Sequence, residues 1–391
     1  MKAMQNRERE IAGQYQGAAM KKGWQTKKLG DLCDVVGGGT PPKDKPSFYS
    51  GEIPWATVRD MRQDVITETE FRITKDAVKS SATNIIPSGN VVIATRVGLG
   101  KVCLLGQDTA INQDLRGIVP RIEKTLAVRY LYWWLKSISD VIVAEGTGAT
   151  VQGVKLPFVK SLQIPVPPLA EQQRIVSLLD EAFEGLATAK ANAEKNLQNA
   201  RALFESHLQS VFTQRGPGWV EKPFEDCIED VKYTTKIQRK EFLDEGEFPI
   251  VSQEAEFTNG YWDNAADVFK VTRPIVVFGD HTQVLKYIDF DFVLGADGVK
   301  LLPPKPFLNP KFFFYALRSA PLKSLGYARH YRLLKEIQIG YPDTNAQVGI
   351  AKKLDALEAE TQRLDRLYER KSAALEALKK SLLHQAFSGE L

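Results

Sequence analysis

The stretch from Lys160 to Phe212 reappears, without a gap, 175 residues later as Lys335 to Phe387. Gln163-Ile164, Pro167, Gln172, Ile175, Leu179-Asp180, Leu203, Ser206, Leu208 and Phe212 recur as Gln338-Ile339, Pro342, Gln347, Ile350, Leu354-Asp355, Leu378, Ser381, Leu383 and Phe387. A repeat of this kind constrains architecture before any local pattern does, because each copy must bury an equivalent face. The chain is built twice.

In the second copy Ile350, Leu354, Leu357, Leu364, Tyr368, Leu375, Leu378 and Leu382 advance in steps of three and four, with Thr361 and Lys371 as polar interruptions. That spacing predicts a coiled-coil seam. The same register in the first copy reads Ile175, Leu179, Ala182, Leu186, Ala189, Ala193, Asn196, Ala200 and Leu203, a thinner seam of small residues. Small residues admit close approach by a bulkier partner, so the two copies are expected to pack on each other. Each is preceded by prolines (Pro165, Pro167, Pro168; Pro342), which hold an extended lead-in before the helix. A helix of about 45 residues reaches roughly 70 Å at ~1.5 Å per residue, with Gly185 as the expected break in the first copy. Two amphipathic helices buried in one ordinary core are the alternative.

At 391 residues, 43% of them hydrophobic, the chain is long enough for two or three cores. Its three cysteines, Cys33, Cys103 and Cys227, are scattered and odd in number, which favours neither a disulfide framework nor a metal cage and fits a reducing cytoplasm. No apolar run approaches the ~20 residues of a membrane span. Residues 1–19 are polar and unpatterned and read as an upstream start, a tag or a loosely attached arm; Met20-Lys21-Lys22-Gly23-Trp24 looks like a natural beginning.

The expected organisation is therefore a globule at 20–167, a helix at 168–215, a second globule at 216–342 and a second helix at 343–391. Both globules open alike, with Gly23-Trp24 and Gly218-Trp219, and both carry β-branched runs (Val91-Val92-Ile93-Ala94; Ile275-Val276-Val277-Phe278). Each also holds a late aromatic helical segment, Tyr130-Leu131-Tyr132-Trp133-Trp134-Leu135 and Phe312-Phe313-Phe314-Tyr315-Ala316-Leu317, expected to be core. Residues 20–167 hold 20 basic and 14 acidic residues, whereas Lys300 to Lys335 holds eight basic residues and no acidic one. Segregated positive charge is what a phosphate backbone requires, because neutralised phosphates release condensed counterions.

A search for chemistry is nearly empty. Gly37-Gly38-Gly39-Thr40-Pro41 leads into prolines that cannot donate the N–H groups of a phosphate-binding helix start. Gly98-Leu99-Gly100-Lys101 ends like a phosphate loop, but Val102 stands where Ser or Thr is required. The four histidines are dispersed, and Asp280-His281 has no partnered nucleophile identifiable from spacing. No Asn-Pro-Pro-Tyr or Asp-Pro-Pro-Tyr tetrapeptide of the kind that grips a flipped adenine is present. The chain reads as a binder.

The pattern Gly38-Gly39-Thr40-Pro41, Ile53-Pro54-Trp55, Ile86-Pro87-Ser88-Gly89, Gly98-Leu99-Gly100 and Asn112-Gln113-Asp114 resembles the target recognition domain of type I restriction-modification specificity subunits. Ile164-Pro165-Val166-Pro167-Pro168-Leu169-Ala170-Glu171-Gln172-Gln173-Arg174-Ile175 is similar to the segment by which that domain passes into the family's spacer helix. The second globule lacks the Gly-Gly-Thr-Pro and Ile-Pro-Trp elements, as expected if the two globules read different sequences.

The resemblance implies an α+β fold: two mixed α/β target recognition domains joined by two long antiparallel coiled-coil helices, a pseudo-two-fold tandem repeat. It implies that each globule reads one half of a bipartite, asymmetric site on double-stranded DNA, with the helices as a ruler. Helices of this length could span at most about 20 base pairs at ~3.4 Å each. It further implies two methyltransferase subunits that use S-adenosylmethionine and flip the target adenine, and two ATP-dependent, magnesium-using restriction subunits. No cofactor or metal is expected in this chain, which would be non-catalytic, and an uncovered seam would favour self-association without partners.

Arg and Lys suit guanine and phosphate, and Asn and Gln suit adenine. The candidate DNA contacts in turn-rich segments are accordingly Thr40, Lys43, Lys45, Arg59, Arg62, Arg96 and Lys101 in the first globule. In the second they are Lys236, Gln238, Arg239, Gln253, His281, Gln283, Arg329 and Arg332. Tyr49 and Tyr261 are candidates to pack on sugars. Two rivals remain open at this level: a DNA-modifying enzyme whose site is assembled from distant carboxylates, and a coiled-coil scaffold whose globules bind protein.

Overall fold

The computed structural model describes residues 21–122, 124–146, 153–296, 298–326 and 328–391, so the expected leader at 1–19 lies outside the described residues. The chain is mixed α/β and divides into two compact units. One gathers the described residues up to Asn192 with Lys371–Leu391, and the other is Ala193–Arg370.

The first unit contains β1 (Gln25–Lys28), β2 (Cys33–Gly37), β3 (Ile53–Ala56), β4 (Val65–Ile66), β5 (Phe71–Ile73), β6 (Asn84–Ile86), β7 (Val91–Ala94), β8 (Val102–Leu105), β9 (Thr109–Ile111), β10 (Leu115–Pro120), helix α1 (Val128–Ser137), β11 (Gln163–Val166) and the first half of helix α2 (Leu169–Thr213). Its strands form a five-stranded sheet, β2-β10-β7-β8-β4, a four-stranded sheet, β5-β3-β9-β6, and the ribbon β1-β11. The Val-Val-Ile-Ala run is fully buried because β7 lies inside its sheet and is covered on both faces.

The second unit contains the rest of α2, then β12 (Val220–Pro223), β13 (Lys236–Ile237), β14 (Phe248–Val251), β15 (Gly260–Trp262), β16 (Val268–Phe269), β17 (Ile275–Gly279), β18 (Leu285–Ile288), β19 (Phe292–Gly295), β20 (Val299–Leu302), helix α3 (Pro310–Ser319), β21 (Gln338–Tyr341) and the first part of helix α4 (Thr344–Ser388). Pairings recur. β14 runs parallel to β19 as β3 does to β9, β17 sits between β18 and β20 as β7 does between β8 and β10, and the ribbon β12-β21 matches β1-β11.

α2 and α4 are continuous helices of 45 residues each. The expected break at Gly185 does not occur, since the flanking Phe183 and Leu186 pack into the first unit's core and hold the turn. Apart from the surrounding backbone of the helix itself and the two neighbouring residues, no atom lies within 4 Å of where a Gly185 Cβ would sit. Gly185→Ala should therefore stabilise the chain by about 0.5–1 kcal/mol through reduced unfolded-state entropy. Denaturant titration checks this, and a loss of stability would show that the helix needs glycine's freedom there.

In each unit the opening half of one long helix lies beside the closing half of the other, an antiparallel arrangement. Lys190 pairs with Glu376 at 2.8 Å in the first unit, and Arg201 with Asp365 at 3.0 Å in the second. These exposed pairs contribute little, ~0–1 kcal/mol each; the apolar face does more. Ile175 and Leu179 are buried in the first unit and Leu354 in the second, with Leu186, Leu382, Ile350 and Leu357 packed against the same cores. Leu364 and Leu375 are half-buried.

Two seam expectations are corrected. Leu203 is 64% exposed and Leu378 47% exposed. An α-helix turns 3.6 residues rather than 3.5 per turn, so a strict heptad drifts off the face. In α2 the inner line passes through Ala193, Leu197, Ala200, Phe204 and Leu208, with the Phe204 ring 4.6 Å from the Arg318 guanidinium. In α4 it passes from Leu375 to Lys379, whose ammonium lies 5.4 Å from the Phe183 ring.

Each aromatic helix is fastened to a long helix by repeat-equivalent residues. Asp180 accepts from Trp133 Nε1 and Arg129 Nε at 2.7 Å each, and Asp355 accepts from the Tyr315 hydroxyl at 2.7 Å while pairing with Lys311. Phe387 meets Tyr130 with ring centroids 5.1 Å apart, and Phe212 meets Phe312 at 5.2 Å. Tyr130 to Leu135 and Phe312 to Leu317 are buried, as the sequence led one to expect.

Candidate nucleic-acid interface

In both units the loops leaving the carboxyl ends of three equivalent strands converge. In the first unit they are 57–60 after β3, 95–101 after β7 and 112–114 after β9. The last two are joined by the Thr95 N–H donating to Asp114 O at 2.8 Å and by Arg96 pairing with Asp114 at 3.5 Å. In the second unit they are 252–254 after β14, 279–283 after β17 and the turn closing at Gly298 after β19. Here the Asp280 N–H donates to Gly298 O at 2.7 Å and the His281 N–H to Gln253 Oε1 at 3.2 Å. The same backbone link ties equivalent loops in both units, yet the side chains they carry differ.

In the first unit Thr40 donates to the Gln113 side chain. Arg116 donates from Nη1 to Gln113 O and Leu115 O, and burial, then the nearby Arg96 charge, hold its pKa below the ordinary guanidinium range. Arg96, Lys101, Lys43 and Lys45 are exposed, with Lys45 Nζ 5.3 Å from the Phe48 ring. Arg59 and Arg62 sit differently. Arg59 pairs with Glu70 at 3.5 Å, Arg62 donates to Arg59 O at 2.9 Å, and Arg62 borders a cleft of about 410 Å³ lined also by Asp60, Glu68 and Glu70. Three carboxylates there oppose the positive charge. The Tyr49 hydroxyl donates to Pro41 O at 2.7 Å, which ties that ring to the glycine-rich loop.

In the second unit Lys236, Gln253, His281 and Arg329 come together in one cleft of about 390 Å³, joined by Asp280, Gly298, Val299 and Lys300. Lys300 Nζ lies 5.2 Å from the Tyr331 ring and Lys236 Nζ 4.8 Å from the Tyr233 ring. Asp280 is almost fully buried, and its Oδ1 accepts from the Tyr331 N–H at 2.7 Å. Its backbone oxygen accepts from the His330 N–H and lies 3.0 Å from His330 Nδ1. His330 Nε2 accepts from the Leu325 N–H at 2.9 Å, which fixes the tautomer with Nδ1–H donating to Asp280 O. Gln238 caps the turn 239–241 with Glu241, and Arg239 pairs with Glu254 at 3.2 Å. Arg332 is exposed on the short helix Tyr331–Leu334. Gln283 has φ 59°, the one non-glycine among the described residues with positive φ. Strain of that kind persists only where surrounding contacts over-determine the backbone. Here the Gln283 N–H donates to Gly279 O, and Thr282 Oγ1 donates to Gln253 O.

Beneath this cleft lies a residue that sequence reading passed over. Lys286 on β18 is 4% exposed, and its ammonium donates to Ser252 O at 2.9 Å, Glu256 O at 2.5 Å and Asn259 Oδ1 at 3.2 Å. Burial pushes its pKa down to about 8, opposed by the charges of Glu254 and Glu256. It closes the 252–259 loop from below. Of the other residues missed, Gln113 lies within the Asn-Gln-Asp pattern and Lys300 within the acid-free basic run, so both carried a signal; Arg116 and Lys286 carried none.

The three cysteine thiols are poor nucleophiles. Burial pushes the Cys33 thiol up to about 12 and the Cys103 and Cys227 thiols up to about 11, which keeps them protonated. Among the described residues no group of three or more His, Cys, Asp or Glu side chains is arranged to hold a metal ion, and no helix is long and apolar enough to cross a membrane.

Two copies of a strand-end loop cluster, each fastened to a pair of long helices, define a class of tandem α/β chains. Within that class, the chain belongs to the family of type I restriction modification DNA specificity domains, whose family model matches residues 21–197 and 218–369. It is 36% identical over 165 residues to the EcoR124I/EcoR124II specificity subunit of Escherichia coli, covering 40% of each chain. It is 26% identical over 248 residues to the MjaIX specificity subunit of Methanocaldococcus jannaschii, covering 59% of this chain and 57% of the relative. These matches span about half or less of each relative's length. Among solved structures, a chain from a type I restriction-modification system superposes with a TM-score of 0.79 at 19% identity, covering 95% of this chain and 100% of that one. A specificity subunit from Thermoanaerobacter tengcongensis does so at 0.61, also at 19% identity, covering 96% of this chain and 99% of that one. At that identity the likeness concerns the fold.

Proposed function

We propose that this chain is the non-catalytic address-reading subunit of a type I restriction-modification complex, acting on double-stranded DNA in the cytoplasm. Each globule is a target recognition domain that reads one half of a bipartite, asymmetric site. The two long helices form the spacer of a pseudo-two-fold tandem repeat and the docking surface for partners. Those partners are two methyltransferase subunits supplying S-adenosylmethionine and two restriction subunits using ATP and magnesium.

One observation carries this reading: the same three strand-end loops converge in both units, tied by the same backbone link, but present different polar side chains. Shared framework with divergent loops is what two readers of different sequences need, since phosphate contacts position a protein while base contacts specify. Asp280 and His281 knit the turn, the Asp280 N–H donating to Gly298 O, Asp280 Oδ1 accepting from the Tyr331 N–H and the His281 N–H donating to Gln253 Oε1.

The test is purification with the methyltransferase subunit of the same system and sequencing of the adenines that the complex methylates. A bipartite asymmetric motif is expected, and exchanging residues 20–167 for those of a relative should alter one half only. No stable complex and no modified adenine would favour a scaffold.

A further inference from the structure

The cleft between the loops of the second unit is built almost wholly of donors. Lys236, Lys300 and Arg329 bring three cationic groups to it, and Gln253 brings a carboxamide whose orientation is set by the fold. The His281 N–H, 3.2 Å away, must face the amide oxygen rather than its nitrogen, so the NH2 end is the one left for a ligand. Gln253 is immobilised from several sides. Thr282 Oγ1 donates to its backbone oxygen, and Lys286 holds the carbonyl of Ser252. A Cβ on Gly298, which has φ +67°, would fall 2.2 Å from Gln253 Oε1, so the amide fits against bare backbone. The single carboxylate, Asp280, is 3% exposed and has one oxygen engaged by the Tyr331 N–H.

A donor-rich cleft matches an acceptor-only edge. In the major groove guanine presents two adjacent acceptors, N7 and O6, whereas adenine pairs an acceptor with a donor and cytosine offers a donor. Backbone phosphate is also acceptor-only, but a rigidly placed, neutral amide adds geometry rather than charge, and geometry is what distinguishes a base edge from a phosphate.

We propose that this cleft seats the major-groove edge of a guanine in the half-site read by the second globule, with Gln253 as the specificity-determining residue and Lys286 and Gly298 as positioning residues. The proposal rests on the reading of the chain as a specificity subunit and names what one of its globules reads.

The experiment uses the full complex with its methyltransferase subunits. The methylated motif is determined first, and then each guanine of the second half-site is replaced in turn by 7-deazaguanine, which lacks the N7 acceptor. The parent complex should lose roughly 5- to 150-fold in affinity at one such position. Gln253→Ala should bind natural DNA more weakly and be indifferent to that replacement, a coupling that a merely structural loss would not produce. Gln253→Glu, which turns the donors into acceptors, should shift the preference at the same position away from guanine. Indifference of the parent to every replacement, or equal sensitivity in Gln253→Ala, overturns the proposal while leaving the bipartite motif standing. A loss uniform across sequences with a reduced salt slope does the same and assigns the cleft to phosphate. Absence of any bipartite motif from the parent overturns the specificity-subunit reading and this inference with it.

Discussion

Gln172→Leu should lower the stability of the first unit by about 3 kcal/mol, out of proportion to the loss of one side chain. Gln172 is fully buried at the start of α2. Its Oε1 accepts from the Ala127 N–H at 2.9 Å, and its Nε2 donates to Thr125 O and Pro167 O at 2.9 Å each. Leucine fills the space but abandons one donor and two acceptors in a buried site, and each such orphan costs ~1–3 kcal/mol before relaxation. The equivalent Gln347 accepts from the Asn309 N–H at 2.7 Å and donates to Phe307 O and Pro342 O. Gln347→Leu should injure the second unit to the same degree, and there the damage reaches α3, because Asn309 caps that helix through the Lys311 and Phe312 N–H groups. Hydrogen exchange separates the two: Ala127 loses protection in the first variant and Asn309 in the second. A drop below ~1 kcal/mol in both would mean that these glutamines are dispensable joints.

Lys286→Met should cost the second unit about 2–4 kcal/mol, since it strands the carbonyls of Ser252 and Glu256 against an apolar side chain and leaves the Asn259 amide oxygen with the Ser252 N–H alone. The pH dependence has a definite sign. With its folded pKa at about 8, below the ordinary lysine value, Lys286 binds its proton more weakly in the folded chain than in the unfolded one. Stability contributed at this site is therefore least below pH 8, and it rises as pH climbs from about 8 through the ordinary lysine range at ~10.4. The parent should gain stability relative to Lys286→Met over that window in denaturant titrations at stepped pH; a flat difference would show that the folded chain keeps the ammonium charged throughout. Loosening of the 252–259 loop should also blur DNA recognition in one half-site, with the other unaffected.

The repeat announced two units and two long helices because each copy carries the same joints. Gln172 and Gln347, Asp180 and Asp355, and Phe212 and Phe387 stand in the sequence at one spacing, and in the structure they make equivalent contacts. The aromatic helices were legible as core because a run of six consecutive apolar and aromatic residues has no way to avoid burial. Periodicity was a weaker guide to which residues face inward. Leu203 and Leu378 satisfied a heptad on paper, but an α-helix does not repeat every seven residues, and the inner face is occupied by the buried Phe204 and the half-buried Lys379 instead.

What the sequence by itself determined is the number of units, the kind of elements and the joints between helix and globule, because those follow from local periodicity and from repetition, which are properties of the chain in one dimension. What only the tertiary structure decided is the composition of the candidate site. Lys236, Gln253, Asp280, Gly298 and Arg329 are far apart in the chain; Gln253, Asp280 and Gly298 meet because three strands end at the same place, and Lys236, which opens β13, and Arg329, which precedes the helix Tyr331–Leu334, join them from other segments. Whether a given arginine faces a cationic cleft, as Arg329 does, or a ring of carboxylates, as Arg62 does, depends on neighbours supplied by other loops. The role of Lys286 depends on them entirely, since a lysine in a strand gives no sign of being buried until the carbonyls that receive it are in place.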